Sequence, residues 1–244
     1  APAEQAPAAE TEGPTELTFE FPEGDYTVED GVYTLNKKDW NPTDGGNNTL
    51  PSTTAYADSF EYSVDVKLIE GNAATLVFGY DMETNRFHGL DMRQIGDQVR
   101  LASFVNNDPT LTNGNMAFQD IMVPNTNMTT DFINVRMVMT KEHVLTIYIN
   151  DKQAHVHDFG SGIPYQPGNL GLLTWQAQAQ FKNLKGTANI DTPEDESNFN
   201  TNLGDLDYPS GSWVKTEEGL VATGSGDNFA MSKIQAENFI FEAT

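Results

Sequence analysis

The sequence contains no cysteine, which excludes disulfide bonds, thiolate zinc sites and cysteine nucleophiles. Basic residues are also scarce: 13 Lys and Arg stand against 36 Asp and Glu, for a formal charge of -23 over 244 residues. A surface this acidic repels phosphate backbones and anionic headgroups, so we expect neither nucleic acid nor a membrane surface as a partner. No apolar run approaches the roughly 18 residues of a membrane-spanning helix, so membrane insertion is not expected.

The first 16 residues, APAEQAPAAETEGPTE, are rich in Ala, Pro and Glu and contain no base. This composition is typical of a disordered acidic segment, because it offers little apolar surface to bury. We interpret 1–16 as the leader of a secreted or cell-surface, extracellular protein.

The rest of the chain shows strand patterns. Apolar and polar residues alternate without a fault through DSFEYSVDVKL (58–68), which is typical of a half-buried strand. Further strand candidates lie at 73–80, 86–93, 98–104, 132–140, 144–150, 153–159 and 175–184. Turn signals at Gly96-Asp97 and Asn150-Asp151 separate some of them, and no long window has helical spacing. The sequence therefore predicts an all-β, antiparallel sandwich or jelly roll, with helices short and few.

The composition changes after Leu184, since 191–209 holds six acids and no base. The following segment, 211–244, parallels 24–66 in order, with Trp213 at the place of Tyr26 and Phe229-Ala230 at that of Tyr56-Ala57. We predict a leader at 1–16, a sandwich module at 17–188, a linker at 189–196 and a partial second repeat at 197–244. Because so short a repeat cannot easily close a sandwich, we expect covalently linked further domains in a longer parent chain.

A family resemblance rests on the order ADSFEYSVDV, AATLVFGY, NRFHGLDMR, DQVRLASF, VLTIYIND and GNLGLLTWQAQAQFKNL. This order resembles the concanavalin A-like sandwich modules attached to secreted glycoside hydrolases, and most resembles carbohydrate-binding module family 66. That family comprises fructan-binding modules of the levanases and other β-fructosidases of glycoside hydrolase family 32. The resemblance covers about residues 15–188, and 197–244 as the beginning of a second module.

The resemblance implies a non-catalytic module that binds the terminal fructose of levan-type or inulin-type fructan and holds a linked enzyme on this polysaccharide. Several lectin-like sandwich families share the same strand order, among them sialic-acid-binding modules and laminin-G-like domains. A surface adhesin or lectin for other glycans therefore stays open as an alternative.

A sandwich of this class can also be a glycosidase, in which retaining chemistry needs two carboxyl groups about 5 Å apart. No alternating Glu-x-Asp-x-x-Glu run is present, and the nearest acids, Asp81 and Glu83, lie in a loop-like stretch. The segment DWNPTDGG (39–46) resembles the nucleophile segment of family 32 enzymes but has Asn41 where the aspartate would stand. We therefore expect no enzymatic activity and keep a concanavalin A-like glycosidase as an alternative.

Ionisable residues are concentrated in TNRFHGLDMRQ (84–94). Alternation places Leu90 and Met92 on one face of this strand and Asp91 and Arg93 on the other. A furanose offers hydroxyl groups and little flat apolar surface, so charged groups that form hydrogen bonds suit it. This pattern predicts five ligand-binding residues, each of which could instead belong to a surface ion pair such as Asp91 with Arg93: Asp81, Glu83, Arg86, Asp91 and Arg93.

The last predicted strand offers a second set of candidates. Alternation there turns Ala177 and Ala179 inward, and leaves Trp175 at the start of an outward row with Gln176 and Gln178. An indole beside amide groups is a common sugar-binding surface, so we predict that these three residues contact the ligand. The alternative is ordinary core packing of Trp175 and solvation of the glutamines.

The sequence leaves metal binding undecided. His155 and His157 share a strand face, but zinc usually takes three or four ligands, so we interpret this pair as a solvated face. We expect no cofactor, although a structural calcium ion would find suitable oxygen ligands in Asp191, Asp205 and Asp207.

Overall fold

The computed structural model describes residues 13–35, 47–110, 116–160 and 163–190, and the backbone of 206–210, 213–216, 219–222 and 229–232. All regular structure in these residues is β-strand, and they include no helix that could span a membrane. The strands are β1 (Thr15–Glu16), β2 (Tyr26–Glu29), β3 (Val32–Leu35), β4 (Asn47–Ala57), β5 (Phe60–Tyr80), β6 (Phe87–Ile95), β7 (Gln98–Asn106), β8 (Met116–Val123), β9 (Ile133–Met139), β10 (Val144–Ile149), β11 (Lys152–Asp158), β12 (Gly168–Ala188), β13 (Leu206–Ser210), β14 (Trp213–Thr216), β15 (Gly219–Ala222) and β16 (Phe229–Ser232).

The two longest strands, β5 and β12, form an antiparallel ribbon that belongs to two sheets. The first half of β5 pairs with β9, and its second half pairs with β6. Likewise β12 pairs with β4 near its start and with β3 and β1 further on. Sheet 1 therefore has the order β11-β10-β9-β5-β12-β3-β2, and sheet 2 has the order β4-β12-β5-β6-β7-β8.

The ribbon passes from one sheet to the other at Gly71 in β5 and Gln176 in β12. Both residues have positive φ angles, 93° for Gly71 and 46° for Gln176. A Cβ atom added to Gly71 would lie 2.2 Å from the carbonyl oxygen of Gln176 and 2.5 Å from the Cα of Ala177. Only glycine fits this crossing, because any side chain would collide with the backbone of the paired strand.

One apolar core lies between the two sheets. Sheet 1 contributes the inward residues of β5, and sheet 2 contributes inward residues of β5 and β6. Phe60 and Phe78, one from each half of β5, lie with ring centroids 6.2 Å apart, and the buried Tyr62 hydroxyl donates to the Gly171 carbonyl at 3.1 Å. Leu90 and Met92 are fully buried in this core, as alternation predicts. The predicted all-β antiparallel sandwich is confirmed.

Strand β12 is longer than its sequence pattern predicts. The prediction of 175–184 is wrong in extent, since β12 runs from Gly168 to Ala188. The first part of β12 is crowded: a Cβ on Gly171 would lie 2.6 Å from the Leu50 carbonyl oxygen. Residues 168–174 are all buried, so both faces of this part of β12 are covered and its sequence shows no alternation of apolar and polar residues.

The predicted leader and the predicted linker fall partly within the described residues. Thr15 and Glu16, at the end of the predicted leader, pair with Ala188 and Thr187 in sheet 1. Residues 1–12 and 191–205, which contain the rest of the leader and most of the predicted linker, lie outside the described residues. In the predicted repeat, β14 and β15 form an antiparallel pair of four-residue strands separated by two residues, as β2 and β3 do.

All four histidines lie in one chain of ring contacts on the β11 side of the core. His157 and Phe159 have ring centroids 4.6 Å apart, Phe159 and His88 5.0 Å, and His155 and Phe118 4.3 Å. Tyr165 continues the chain to His143, whose Nε2 lies 3.2 Å from Asp58 Oδ1. The predicted solvated face is wrong for His155, which is 2 % exposed, because Phe118 of β8 covers its ring.

From the close contact at the crossing we predict that Gly71→Ala destabilises the fold. We expect a loss of unfolding free energy of at least about 3 kcal/mol, because a left-handed backbone angle and a clash with backbone act together. Gly31→Ala is the matched control: Gly31 has φ 76° in the β2–β3 turn, but an added Cβ meets nothing within 4 Å. That control should lose only about 1 kcal/mol in urea unfolding, and equal losses for the two variants would contradict the steric role of the crossing.

The buried histidines predict acid sensitivity. Burial lowers the pKa of His155 to about 3 and that of His157 to about 4, from an ordinary value of 6.5. The unfolded chain therefore takes up protons below pH 6.5 that the folded chain does not, so stability falls as the pH drops from 6.5 toward 4. Each ring should cost on the order of 2 kcal/mol by pH 4.5.

This acid sensitivity can be measured by urea unfolding at pH 7.0 and pH 4.5 in the wild type and in His155→Phe. We expect the variant, which keeps the ring contact but has no titrating group, to lose less stability between the two pH values. An unchanged difference would show that other groups, such as the many carboxyls, account for the acid loss.

Candidate functional site

Five of the eight residues nominated from the sequence lie in two separate places, one directly before β6 and one on the face of its sheet. The first place, which we call the end pocket, lies where the loops after β5, β7 and β11 meet, and it includes Asp81 and Arg86. The second place is on the outer face of sheet 2 and includes Asp91, Arg93 and Trp175. We call this second set, together with Thr75 and Arg100, the sheet-face row.

The loop between β5 and β6 is closed by the Asp81 carboxylate. Its Oδ1 accepts the backbone NH of Glu83 at 2.8 Å, and its Oδ2 accepts the Thr84 hydroxyl at 2.7 Å. The backbone closes the same loop, since the NH of Asp81 donates to the Arg86 carbonyl at 2.9 Å. The Thr84 hydrogen bond, followed by the Glu83 NH, lowers the pKa of Asp81. Asp81 is therefore an ionised carboxylate at neutral pH.

Arg86 is the buried cation of the end pocket, with only 4 % of its surface exposed. Its Nε donates to Asp108 Oδ2 at 2.7 Å, and its Nη2 donates to the Pro164 carbonyl at 2.9 Å. Its Nη1 is buried and has no hydrogen-bond partner in the described part of the chain. A buried charged donor without an acceptor lowers the stability of the folded state.

Asp108 holds Arg86 in place and is itself held by its own loop. The Thr110 hydroxyl donates to Asp108 Oδ1 at 2.6 Å, and the Thr110 NH donates to the same oxygen at 2.9 Å. The Thr110 hydroxyl, followed by Arg86, lowers the pKa of Asp108 to about 2. Both carboxylates of the end pocket are therefore ionised over the whole neutral range.

The end pocket has a volume of about 470 Å³, within the range of about 300–1,000 Å³ for small-molecule sites. Its lining is mostly polar, with prolines as the apolar part: Asp81, Thr84, Arg86, Asn107, Asp108, Pro109, Thr110, Pro164 and Gln166. A polar lining with donors and acceptors on all sides suits a ligand rich in hydroxyl groups better than an apolar one.

The residues of the sheet-face row lie on four neighbouring strands, β12, β5, β6 and β7. The Thr75 hydroxyl donates to Asp91 Oδ1 at 3.3 Å, and Arg93 Nε donates to Asp91 Oδ2 at 2.7 Å. The Arg93 guanidinium lies over the Trp175 ring, 4.4 Å from its centroid. Asp91 is 3 % exposed, so this carboxylate is buried although it lies on the outer face of the sheet. Arg100, directly opposite Arg93 on β7, donates in turn to Asp120 at 2.7 Å.

A small apolar cluster lies beside this row on the same face of sheet 2. It is made of Val77, Tyr80, Phe87 and Leu173, with Phe104 and Trp175 partly buried against it. The Phe104 ring lies directly over Gly89, where an added Cβ would be 2.6 Å from two ring carbons. The outer face of sheet 2 is therefore partly apolar, unlike the solvated face of an ordinary two-layer sandwich.

Three sequence-nominated residues stand apart from these two places. Glu83 is exposed, and only its backbone NH takes part in the loop. Gln176 accepts a hydrogen bond from Asn72 at 2.7 Å at the crossing, and Gln178 lies beyond it, opposite Glu70. The glutamines are partly exposed and alternate with the buried Ala177 and Ala179, as predicted. Trp175 does not belong to their row, because the positive φ of Gln176 interrupts the strand between them. The Arg93 guanidinium covers one face of the Trp175 indole, so a sugar cannot stack on that face.

The sequence interpretation missed Thr84, Asp108, Thr110 and Gln166 in the end pocket, and Thr75 in the sheet-face row. A local signal exists for some of them, since Asp81-x-x-Thr84 and Asp108-x-Thr110 are loop motifs in which a carboxylate accepts from a nearby hydroxyl and NH. For metal, the described residues contain no group of three or more His, Asp or Glu that could hold an ion. The calcium candidates Asp191 and Asp205 lie outside the described residues.

No family model and no curated protein sequence matches the chain. Among solved structures, it is similar to the carbohydrate-binding module CBM66 from Bacillus subtilis, with a TM-score of 0.51 and 17% identity over 69% of this chain and 94% of that one. It is also similar to an apo Crh5 transglycosylase, with a TM-score of 0.48 and 15% identity over 75% of this chain and 79% of that one. A native glycosidic hydrolase has a TM-score of 0.47 and 14% identity, over 69% and 83%. At this level of identity the first likeness establishes the fold, which is the concanavalin A-like sandwich.

Two of the three aspartate–arginine pairs among the described residues, Asp108–Arg86 and Asp120–Arg100, are expected to differ in their contribution to stability. Asp108→Ala should lower the unfolding free energy by about 2–4 kcal/mol, because it leaves a buried guanidinium without a counter-charge. Asp120→Ala, which removes the 63 % exposed partner of Arg100, should cost no more than about 1 kcal/mol. Urea unfolding at pH 7 measures both, and similar losses would show that Arg86 does not depend on Asp108.

Proposed function

We propose that the chain is a non-catalytic glycan-binding module that accepts the terminal sugar of a polysaccharide in the end pocket. The observation that carries this proposal is an open pocket of about 470 Å³ whose polar lining combines the Arg86 cation with the carboxylates of Asp81 and Asp108. Ligand hydroxyls in this pocket can donate to the carboxylates and accept from the lining donors, which gives charge-assisted hydrogen bonds.

The charges of the pocket favour a neutral ligand. Asp81 and Asp108 are both ionised, against the single positive charge of Arg86. The local charge is therefore negative, within a chain whose formal charge is -23, so a sulfated or carboxylated sugar is repelled. A neutral hydroxyl group can both accept from Arg86 and donate to a carboxylate, as the pocket requires.

We further propose that the polysaccharide is a fructan of the levan or inulin type, and that the chain is an extracellular module of a larger β-fructosidase. Support comes from the resemblance to carbohydrate-binding module family 66 and from the fold shared with the Bacillus subtilis module. A pocket among loops at the start of β6 suits a chain end, because a volume of about 470 Å³ accommodates one or two sugar units better than the middle of a polymer.

A non-catalytic role fits the ionisation of the pocket. Glycoside hydrolysis needs a carboxylic acid that stays protonated near neutral pH, which requires a raised pKa. Hydrogen bonds lower the pKa of Asp81 and hold that of Asp108 at about 2. Neither is suited to donate a proton to a leaving group. Incubation with levan and inulin should therefore release no reducing sugar; release abolished by Asp108→Asn would instead identify a glycosidase.

Calorimetry with levan, inulin and levanbiose tests the ligand. We expect binding of at least one fructan, lowered about 10-fold or more in Gln166→Ala and in Arg86→Met, because each removes a hydrogen-bonding group from the pocket. The matched control is Arg136→Met, which removes an arginine of sheet 1 that pairs with Glu61 away from the pocket. Circular dichroism checks that Arg86→Met is folded, and Gln166→Ala changes an exposed side chain only.

Two results would contradict this proposal. Absence of heat with any fructan at high protein concentration would exclude the fructan, and preference for sialosides or galactosides on a glycan array would favour the adhesin alternative. Fructan binding that survives both pocket substitutions would place the ligand elsewhere on the molecule.

A further inference from the structure

We propose that the sheet-face row is a second glycan-binding surface, which contacts the interior of a neutral polysaccharide chain and is separate from the end pocket. Arg86 lies directly before β6 and Arg93 lies on β6 seven residues further along, so the chain between them separates the two places by up to about 23 Å. The inference rests on the proposed function only in its choice of fructan as the first probe.

The Arg93 guanidinium is held in a fixed position by three neighbours. Its Nε is bound to Asp91, its plane lies over Trp175, and Asp91 is bound in turn by Thr75. All four residues lie on strands of sheet 2, so little conformational freedom remains to be lost when a ligand binds. The side chain is still 30% exposed, and in the described part of the chain Nη1 and Nη2 form no hydrogen bond. The result is a rigid fork of donors that faces solvent.

Arg100 forms a second arginine–aspartate pair on the neighbouring strand, with a partner that is 63% exposed. It is the direct cross-strand partner of Arg93, and its Nε is bound to Asp120. Two like charges directly opposite each other in a sheet are unfavourable, so stability alone does not account for the pair. Each arginine has its own carboxylate, which makes the group of four charges neutral. A neutral group with outward donors favours hydroxyl oxygens over anions as acceptors.

The same face supplies apolar contact beside these donors. Phe104 and Trp175 are partly buried against the outer cluster of sheet 2 and keep an exposed edge. Sugars bind proteins through hydrogen bonds to hydroxyls combined with contact of their C–H groups with apolar side chains. The outer face of β6 and β7 offers hydrogen-bond donors and apolar contact on one open surface, which can bind an internal sugar unit of a chain as well as a terminal one.

Sheet 1 provides a comparison that separates a binding surface from an ordinary surface ion pair. Arg136 also lies over an aromatic ring, 3.9 Å from the centroid of Tyr148, and it also pairs with an acid, Glu61. That pair is loose, at 3.6 Å, and Glu61 is 47% exposed. The Asp91 carboxylate is 4% exposed and bound at 2.7 Å. Arg93 is therefore fixed by a buried carboxylate, whereas Arg136 is not.

The test compares a long ligand with a short one by calorimetry at pH 7. Arg93→Gln and Arg100→Gln should each weaken binding of polymeric levan about 5- to 10-fold, because one of two contact regions on the same polymer is lost. Levanbiose is too short to reach from the end pocket, so its affinity should change less than 2-fold. Arg136→Gln is the matched control and should change neither affinity. Arg100→Gln keeps the Asp91–Arg93–Trp175 contacts, so it remains informative if Arg93→Gln is unstable.

Two outcomes with fructans overturn the inference. Unchanged affinity for polymeric levan in both variants would show that the sheet-face row makes no contact with the chain. Equal weakening of levan and levanbiose would show a single site rather than two.

A failure of the proposed function gives a different result from a failure of this inference. If the wild type binds no fructan, the same variants are compared by affinity electrophoresis in gels containing xylan, mixed-linkage β-glucan or pullulan. Retardation of the wild type that is reduced in Arg93→Gln and Arg100→Gln supports the surface without the fructan. Equal retardation of all three proteins, or of none, overturns it.

Discussion

The close contact of two backbones at Gly71 and Gln176 determines the rest of this architecture. At that point β5 and β12 leave one sheet and enter the other while remaining paired, so both sheets share a single ribbon. The core faces of the two sheets therefore meet without a separate connection, and Phe60 can pack against Phe78 of the same strand. The crossing also decides which residues reach the outer face of sheet 2. Trp175 lies just before it and contacts Arg93, whereas Gln178 lies just after it and belongs with sheet 1.

Arginine–carboxylate pairs are the second organising feature of the molecule. In a chain with few bases, Arg86 and Arg93 are each bound through Nε by a nearly buried aspartate. Such pairs contribute little net stability, because the cost of removing both charges from water offsets most of their attraction. Their effect is geometric: an arginine bound through Nε keeps its outer nitrogens in a fixed direction. Preorganised donors of this kind bind a ligand without first losing side-chain entropy.

The sequence was sufficient for the parts that depend on local alternation. The strict pattern at 58–68 predicts the first half of β5, and alternation in 86–93 correctly separates Leu90 and Met92 from Asp91 and Arg93. Contacts between distant segments left no local signal. Arg86 and Asp108 are 22 residues apart, so their pairing depends on how the loops after β5 and β7 meet.

The errors have the same physical origin. Trp175 was wrongly placed in the glutamine row because one residue with a positive φ, Gln176, separates it from that row, and glutamine is not a residue that marks such a position. His155 was mispredicted because strand β8, which covers it, is distant in sequence and irregular in pattern. In both cases alternation identifies two faces of a strand, but it does not determine which face is covered by another element.

The arrangement of the two proposed sites along β6 has a consequence for affinity. In this proposal the two contacts lie up to about 23 Å apart, one directly before β6 and one on it, so on a shared polymer the second contact forms at a high effective concentration once the first has formed. A chain end in the pocket and an interior segment on the sheet face therefore reinforce each other only for ligands long enough to reach both. The module would then bind a polymer more tightly than a short oligosaccharide because only the polymer spans the distance between the two sites. No additional contact to any one sugar is needed. This property suits a module that must stay on a polysaccharide and release the small products of its degradation.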